Sequence, residues 1–287
     1  MKLDWKGLLL FIIILNWTHL TGLCQSIDLS SQRLPFHEYG IALYRLDSDT
    51  LFTGKQNIVI AELKGNAFSQ YTIAVAWSDS MLKRTSIFGE DSKALVALNG
   101  SFFNVEKGGS VAYLESNGKV YSRNRDRKEK WAKTDSLLNG AIVITNSGDL
   151  RIEIAKLESV YEKSDSEKTV LISGPILLVK GEILPLENSE FSRKRHPRSC
   201  LCETTSHDIL FIAIDGRSDI ASGMNLREVQ QFLLRLNCRD AINLDGGGST
   251  TLWVNDGSTK EILNKPSDKE GERPVANIIL IKKKLDN

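Results

Sequence analysis

One segment alone carries a long helical repeat. From Asn225 to Asn237, NLREVQQFLLRLN places Leu226, Val229, Phe232, Leu233 and Leu236 on one face of an amphipathic helix. Apolar runs stand on both sides of it, Asp208 to Ile214 and Cys238 to Leu244, each short enough to be a buried strand. A strand, helix, strand unit of this kind is expected to run its two strands parallel, joined by a right-handed crossover. Everything else with apolar character comes in short stretches, so the chain must bury its core mainly through sheets.

Those stretches read as strands: Ile41 to Tyr44, Asn57 to Glu62, Tyr71 to Trp77, Lys93 to Leu98, Val170 to Ile172, Ile176 to Val179 and Pro274 to Lys282. Asn117-Gly118, within Tyr113 to Tyr121, is a strong hairpin signal, and Asn146 to Asp149 joins Gly140–Thr145 to Leu150–Ile154 in the same way. The expected class is α+β, a mixed β-sheet flanked by helices, with the strand-helix-strand unit carrying the site. With 287 residues, 41% of them hydrophobic, there is material for one large domain or two small ones. No linker divides the chain. A net charge of +1 supplies no general attraction to polyanions, which argues against a nucleic-acid partner. The run Arg123 to Lys130, RNRDRKEK, reads as a solvated loop.

The N-terminus has the three parts of a secretory signal peptide: Lys2 and Lys6, an apolar run from Leu8 to Leu15, and small Gly22 and Cys24 before Gln25. The expectation is export to the periplasm or outside the cell, with residues 1–24 removed and no transmembrane segment left. Lipidation at Cys24 is the rival reading, opposed by the bulk of Leu23. Cys200, Cys202 and Cys238 then remain. Cys200 and Cys202 are too far apart at i and i+2 of a strand to bridge, but either could pair with Cys238, or all three could stay reduced. No histidine pair stands at zinc-ligand spacing.

Chemistry gathers where the strands of the unit end. Ile214-Asp215-Gly216-Arg217 and Leu244-Asp245-Gly246-Gly247-Gly248 each put a carboxylate before glycine at a C-terminal strand edge, where parallel strands form ligand crevices. Asp215 and Asp245 are thus expected as a pair of catalytic carboxylates. Gly246, Gly247 and Gly248 could cradle an anion in a nest of amides, with Ser249 and Thr250 adding hydroxyl donors. His196 could give or take a proton near neutral pH, and Arg198 could grip two phosphate oxygens. Arg217 could be a second clamp or the ion-pair partner of Asp215.

The ordered motifs NGSFF (Asn99 to Phe103), SGP (Ser173 to Pro175), HPRS (His196 to Ser199), DGR and GMNLRE (Asp215 to Arg217, Gly223 to Glu228), DAINLDGGGSTTLW (Asp240 to Trp253) and ERPVAN (Glu272 to Asn277) resemble the phosphodiester glycosidase domain. The resemblance runs from about Ala94 to Ile281. It divides the chain into a signal peptide, residues 1–24; N-terminal strands, 25–93, packing on or joining the main domain; and the glycosidase domain, 94–287. Ser101 stands where the family often has glycine, and Cys200 to Cys202 where it has small residues.

What the resemblance implies is hydrolysis of a sugar 1-phosphodiester, N-acetylglucosamine-1-phosphodiester-like, to free sugar and a phosphomonoester. A phosphate leaving group needs charge neutralisation more than protonation, which Arg198, Arg217 and the glycine amides would supply. Asp245 is expected nearer the chemistry than Asp215, and Asn99 would bond the sugar or phosphate unless it only forms its turn. No cofactor is required. A divalent metal on Asp215 or Asp245 is conceivable, although no compact ligand motif demands one. The competing class is a non-catalytic module binding phosphorylated or anionic glycans in exopolysaccharide handling.

Overall fold

A computed structural model describes residues 26–125 and 128–284. The expected signal peptide and Cys24 lie outside the described residues. None of the described helices is long and apolar enough to cross a membrane.

The described residues form three sheets. The largest orders its strands Arg33–Leu34, Ile41–Ser48, Gln56–Leu63, Ile209–Ile214, Arg198–Thr204, Cys238–Asn243, Ile176–Val179 and Glu182–Ile183. A second runs Lys119–Ser122, Leu114–Ser116, Glu167–Ser173, Gly140–Thr145 and Leu150–Ile154. The third runs Lys260–Ile262, Leu252–Asn255, Val96–Asn99, Asn277–Lys283 and Tyr71–Trp77. The segments before Lys93 are woven in: Gln56–Leu63 pairs with Ile209–Ile214, and Tyr71–Trp77 with Asn277–Lys283.

The helix forms over Leu226–Arg235, started by a capping box in which Asn225 accepts from the Glu228 amide and Glu228 accepts from the Asn225 amide. Its Leu226, Val229, Phe232 and Leu233 pack on Ile58, Ile60, Cys200 and Ile212, all from one face of the large sheet. The intervening residues Val59, Ala61, Leu201, Phe211 and Ala213 point to the opposite face and join a second core with Leu98, Leu252 and Ile279 of the third sheet. The period-two alternation therefore sorts each strand between a helix side and a sheet side.

The α+β class holds, but the strand-helix-strand unit differs in one respect from its sequence reading. Ile209–Ile214 and Cys238–Asn243 do run in the same direction, because both are antiparallel to Arg198–Thr204, which lies between them. Every pairing among the described strands is antiparallel. The reason is local: Arg198–Thr204 folds straight back through a short turn onto Ile209–Ile214 and occupies the neighbouring place before the helix can return.

A register shift beyond Glu203 sets Cys238 opposite Thr204, and the disulfide closes between Cys202 and Cys238 with Cα atoms 5.8 Å apart. Cys200 stays a free, buried thiol beneath the helix. A helix with no strong sequence signal, Thr85–Asp91, forms because Gly89 lets the Trp253 ring lie against it.

Candidate functional site

The Val96–Asn99 and Cys238–Asn243 strands belong to different sheets, yet their ends are tied together. Asp245 N donates to Gly100 O at 3.0 Å, and Asn99 Nδ2 donates to Asp245 O at 2.7 Å. Asn99 Oδ1 accepts from Ser199 Oγ at 2.6 Å and from Thr251 N at 3.1 Å. Asn99 is wholly buried, so it straps three segments together. This corrects its expected role as a ligand to sugar or phosphate: its oxygen is already taken by two protein donors, and no part of it meets solvent. Ser101 is held in place by two hydrogen bonds. Its amide donates to Asn277 Oδ1 at 2.6 Å and its hydroxyl to Ile172 O at 2.7 Å.

Asp245 itself sits half-buried at the strand end. Burial holds its carboxyl above the usual pKa, while the Ser249 hydroxyl and the charges of Lys133 and Arg273 pull it back down. Lys133 Nζ stands 5.2 Å over the Phe102 ring. Arg273 forks onto Asp268, Nε to Oδ2 at 2.7 Å and Nη2 to Oδ1 at 3.0 Å. Gly248 makes room for that pair, since a Cβ there would collide with Asp268 Oδ1 and Arg273 Nη2.

Of the three glycine amides expected to form a nest, that of Gly247 is already taken. Gly247 N donates to Pro197 O at 2.9 Å, Ser249 N to Gly246 O at 3.3 Å, and Thr250 N to Gly247 O at 3.2 Å. The glycines serve close approach. A Cβ on Gly246 would stand 2.6 Å from Pro197 O, and Gly247, at φ +64°, lies directly under the Arg217 guanidinium. Ser249, beside Asp245, and Thr250 and Thr251 are buried, and among the described residues no hydrogen bond closes on the hydroxyls of the two threonines.

Arg217 Nη2 donates to His196 Nδ1 at 3.2 Å. A guanidinium only donates, so Nδ1 must carry the lone pair and the ring is neutral with its proton on Nε2. Burial, then the charges of Arg198, Arg217 and Lys194, hold the His196 pKa below its usual value. Arg217 is therefore engaged with His196; Asp215 has other partners. Asn264 Nδ2 donates to Asp215 Oδ1, and Lys265 N donates to both of its oxygens, all at 3.0 Å. Burial raises the Asp215 pKa to about 6 against those bonds. Asn264 Nδ2 also donates to Thr250 O at 3.0 Å, so Asp215 reaches the glycine turn through Asn264. The expected facing pair of carboxylates becomes one carboxyl at the turn and one supporting it.

Arg198 is corrected most fully. It is completely buried, with Nε donating to Met224 O at 3.0 Å and Nη2 to Phe191 O at 2.7 Å and Lys194 O at 3.0 Å. Its guanidinium also lies 4.7 Å from the centre of the Phe191 ring. Strand alternation puts Arg198 on the helix side with Cys200 and Cys202, and turns Ser199 toward Asn99. The sequence reading missed Ser199, Lys133, Asp268 and Arg273. The i and i+2 cysteines were a usable signal for the side Arg198 takes, and Arg273 stood inside the ERPVAN motif; for Lys133 no local signal exists. Among the described residues no three His, Cys, Asp or Glu side chains gather closely enough to hold a metal ion.

Fold and site together define a class: an α+β domain in which a turn between sheets presents one carboxyl under the charges of Lys133 and Arg273, with Arg217 and the neutral imidazole it holds at Gly247 of the same turn. The sequence model of the phosphodiester glycosidase family matches residues 92–282, and the chain belongs to that family. It is 26% identical over 179 residues to N-acetylglucosamine-1-phosphodiester alpha-N-acetylglucosaminidase of Bos taurus, across 57% of this chain and 32% of that protein. Against the Homo sapiens protein of the same name it is 26% identical over 175 residues, again 32% of the relative. The chain thus spans about a third of the length of the curated relatives it matches. Among solved structures, the zebrafish catalytic domain of that enzyme, auto-inhibited by its pro-peptide, superposes with a TM-score of 0.66 at 20% identity, covering 91% of this chain and 87% of its own. A hypothetical protein from Synechocystis follows with 0.59 at 14% identity, over 84% and 62%. These two likenesses establish the fold.

Proposed function

We propose that the protein hydrolyses a sugar 1-phosphodiester of the N-acetylglucosamine-1-phosphodiester type, releasing free sugar and a phosphomonoester. The observation that carries this reading is Asp245: a carboxyl made more basic by burial, under the charges of Lys133 and Arg273, at a turn whose Gly247 lies against the Arg217 guanidinium that holds the neutral His196. The names of the bovine and human relatives point to the same substrate class.

In this reading the bond between the anomeric carbon and the bridging oxygen breaks, and its electron pair leaves with the phosphate. Lys133 and Arg217 neutralise the departing charge, so no strong acid is needed. Water adds its oxygen to the anomeric carbon as Asp245 takes its proton. His196, donor at Nε2, holds a ligand oxygen, and Asp215 keeps the turn in place through Asn264. The residues of the chain provide all the charge this step uses, and no cofactor enters it. Export belongs to the same proposal. The N-terminal leader supports it, as does the Cys202–Cys238 disulfide, which suits an oxidising compartment.

The test is to incubate the protein with N-acetylglucosamine-1-phospho-methyl mannoside in oxygen-18 water. Release of labelled free sugar is expected. Label in the phosphate would mean P–O cleavage and a phosphodiesterase. Binding without sugar release would leave a module for phosphorylated glycans.

A further inference from the structure

A cavity of about 390 Å³ opens beside the paired rings of Trp77 and Tyr121, whose centres are 4.6 Å apart at 60°. That volume is within the roughly 300–1,000 Å³ usual for small-ligand sites. Its walls are polar around this aromatic patch, and the state of each polar group decides what could bind. Arg123 is already held by Glu158 and Glu162, at 2.9 and 2.6 Å, and Arg125 by Glu129 at 2.8 Å. Among the described lining residues, each arginine is thus already paired with a carboxylate. Asp79 is exposed and has no partner among the described residues. Asn124 spends its oxygen on the Tyr113 amide at 2.9 Å, which leaves its amide nitrogen to donate. Lys119 Nζ lies 4.8 Å over Tyr121, so Trp77 is the ring left for stacking.

A free carboxylate acceptor, an amide donor and an indole match a pyranose, which has hydroxyl donors and acceptors at its rim and an apolar C–H face. We propose that this cavity is a second carbohydrate site, taking neutral hexose residues of a glycan, distinct from the Asp245 turn. The two are linked by one loop. Gly100, at its start, accepts from the Asp245 amide, while Gly108 and Gly109, at its end, line the cavity. Trp77 is also the register partner of Asn277, whose side chain holds Ser101. A glycan seated at Trp77 would thus be carried on the same frame that fixes Asp245.

The test is calorimetric titration of the full chain with cellobiose, mannobiose and N,N′-diacetylchitobiose. At least one should bind, with affinity falling tenfold or more in Trp77→Ala and in Asp79→Ala and unchanged in Asp245→Asn. Asp79 is exposed and without a partner among the described residues, so its variant keeps the fold and the test decisive. Two results overturn the proposal: none of the three disaccharides binds, or binding is lost in Asp245→Asn and kept in Asp79→Ala. Neither depends on whether the protein cleaves phosphodiesters.

Discussion

The side chain of Asn99 fixes the backbone of Asp245: Nδ2 of the first donates to the carbonyl oxygen of the second at 2.7 Å, across a junction between two sheets. Asn99→Ala removes that donor and also leaves the buried Thr251 amide and Ser199 hydroxyl without their acceptor. Each buried group left unpaired costs about 1–3 kcal/mol. Denaturant melts should show a clear loss of stability, and sugar release should fall further than the folded fraction does.

Asp245→Asn keeps the shape of the turn and removes the base. Turnover of a sugar 1-phosphodiester should drop by about 10²–10⁴-fold, the usual contribution of a positioned acid or base. The melting temperature should fall little, or rise, since a buried charge has been removed. Wild-type rates in a folded Asp245→Asn protein would take this residue out of the mechanism.

The acid side of the pH profile reports the same carboxyl. Its pKa is raised in the folded protein, so the ionised form gains population only at a pH above the ordinary Asp range of about 4. The value of kcat/KM should therefore climb with pH through a midpoint clearly higher than that. A midpoint at or below pH ~4 would assign the limb to another group.

Arg198 and Arg217 should separate by phenotype. Arg198→Ala strands the carbonyls of Met224, Phe191 and Lys194 and should destabilise by about 2–4 kcal/mol, with KM unchanged for the protein that folds. Arg217 is exposed, and Arg217→Ala should raise KM about tenfold or more with little change in melting, as expected for loss of one charge-assisted contact.

Asp215 makes a prediction about stability. Its pKa is about 6 when folded against 3.8 as a free side chain, so between those values the folded state binds more proton than the unfolded one. That contribution is lost as pH rises through the window, and by neutral pH the ionised group costs about 3 kcal/mol. Asp215→Asn can still accept from Asn264 and Lys265. Its stability relative to wild type should grow from pH ~4 to ~6 and then level off, which paired urea melts would measure.

Local pattern explains what could be read early. Leu226–Arg235 declared itself by spacing and by the Asn225 and Glu228 cap, and most strands by alternation and by Asn-Gly turns, because those signals need only a few consecutive residues. The same holds for Asp245 before its glycines. Thr85–Asp91 was missed because its stabilising partner, Trp253, is more than 160 residues away in the chain.

By itself, then, the sequence determined the α+β class, the long helix Leu226–Arg235, the segment that carries the site and the family. Tertiary structure alone decided what each side chain does there. Arg198 turned to the helix and not to the turn because its strand was sandwiched between two antiparallel neighbours with a core on each face. The amide of Gly247 and the oxygen of Asn99 were taken by Pro197, Ser199 and Thr251. Lys133 and Arg273 came to act on Asp245 through space. Hydrogen-bond partners and electrostatic neighbours are set by distance in the folded chain, and strand order and register fix those distances.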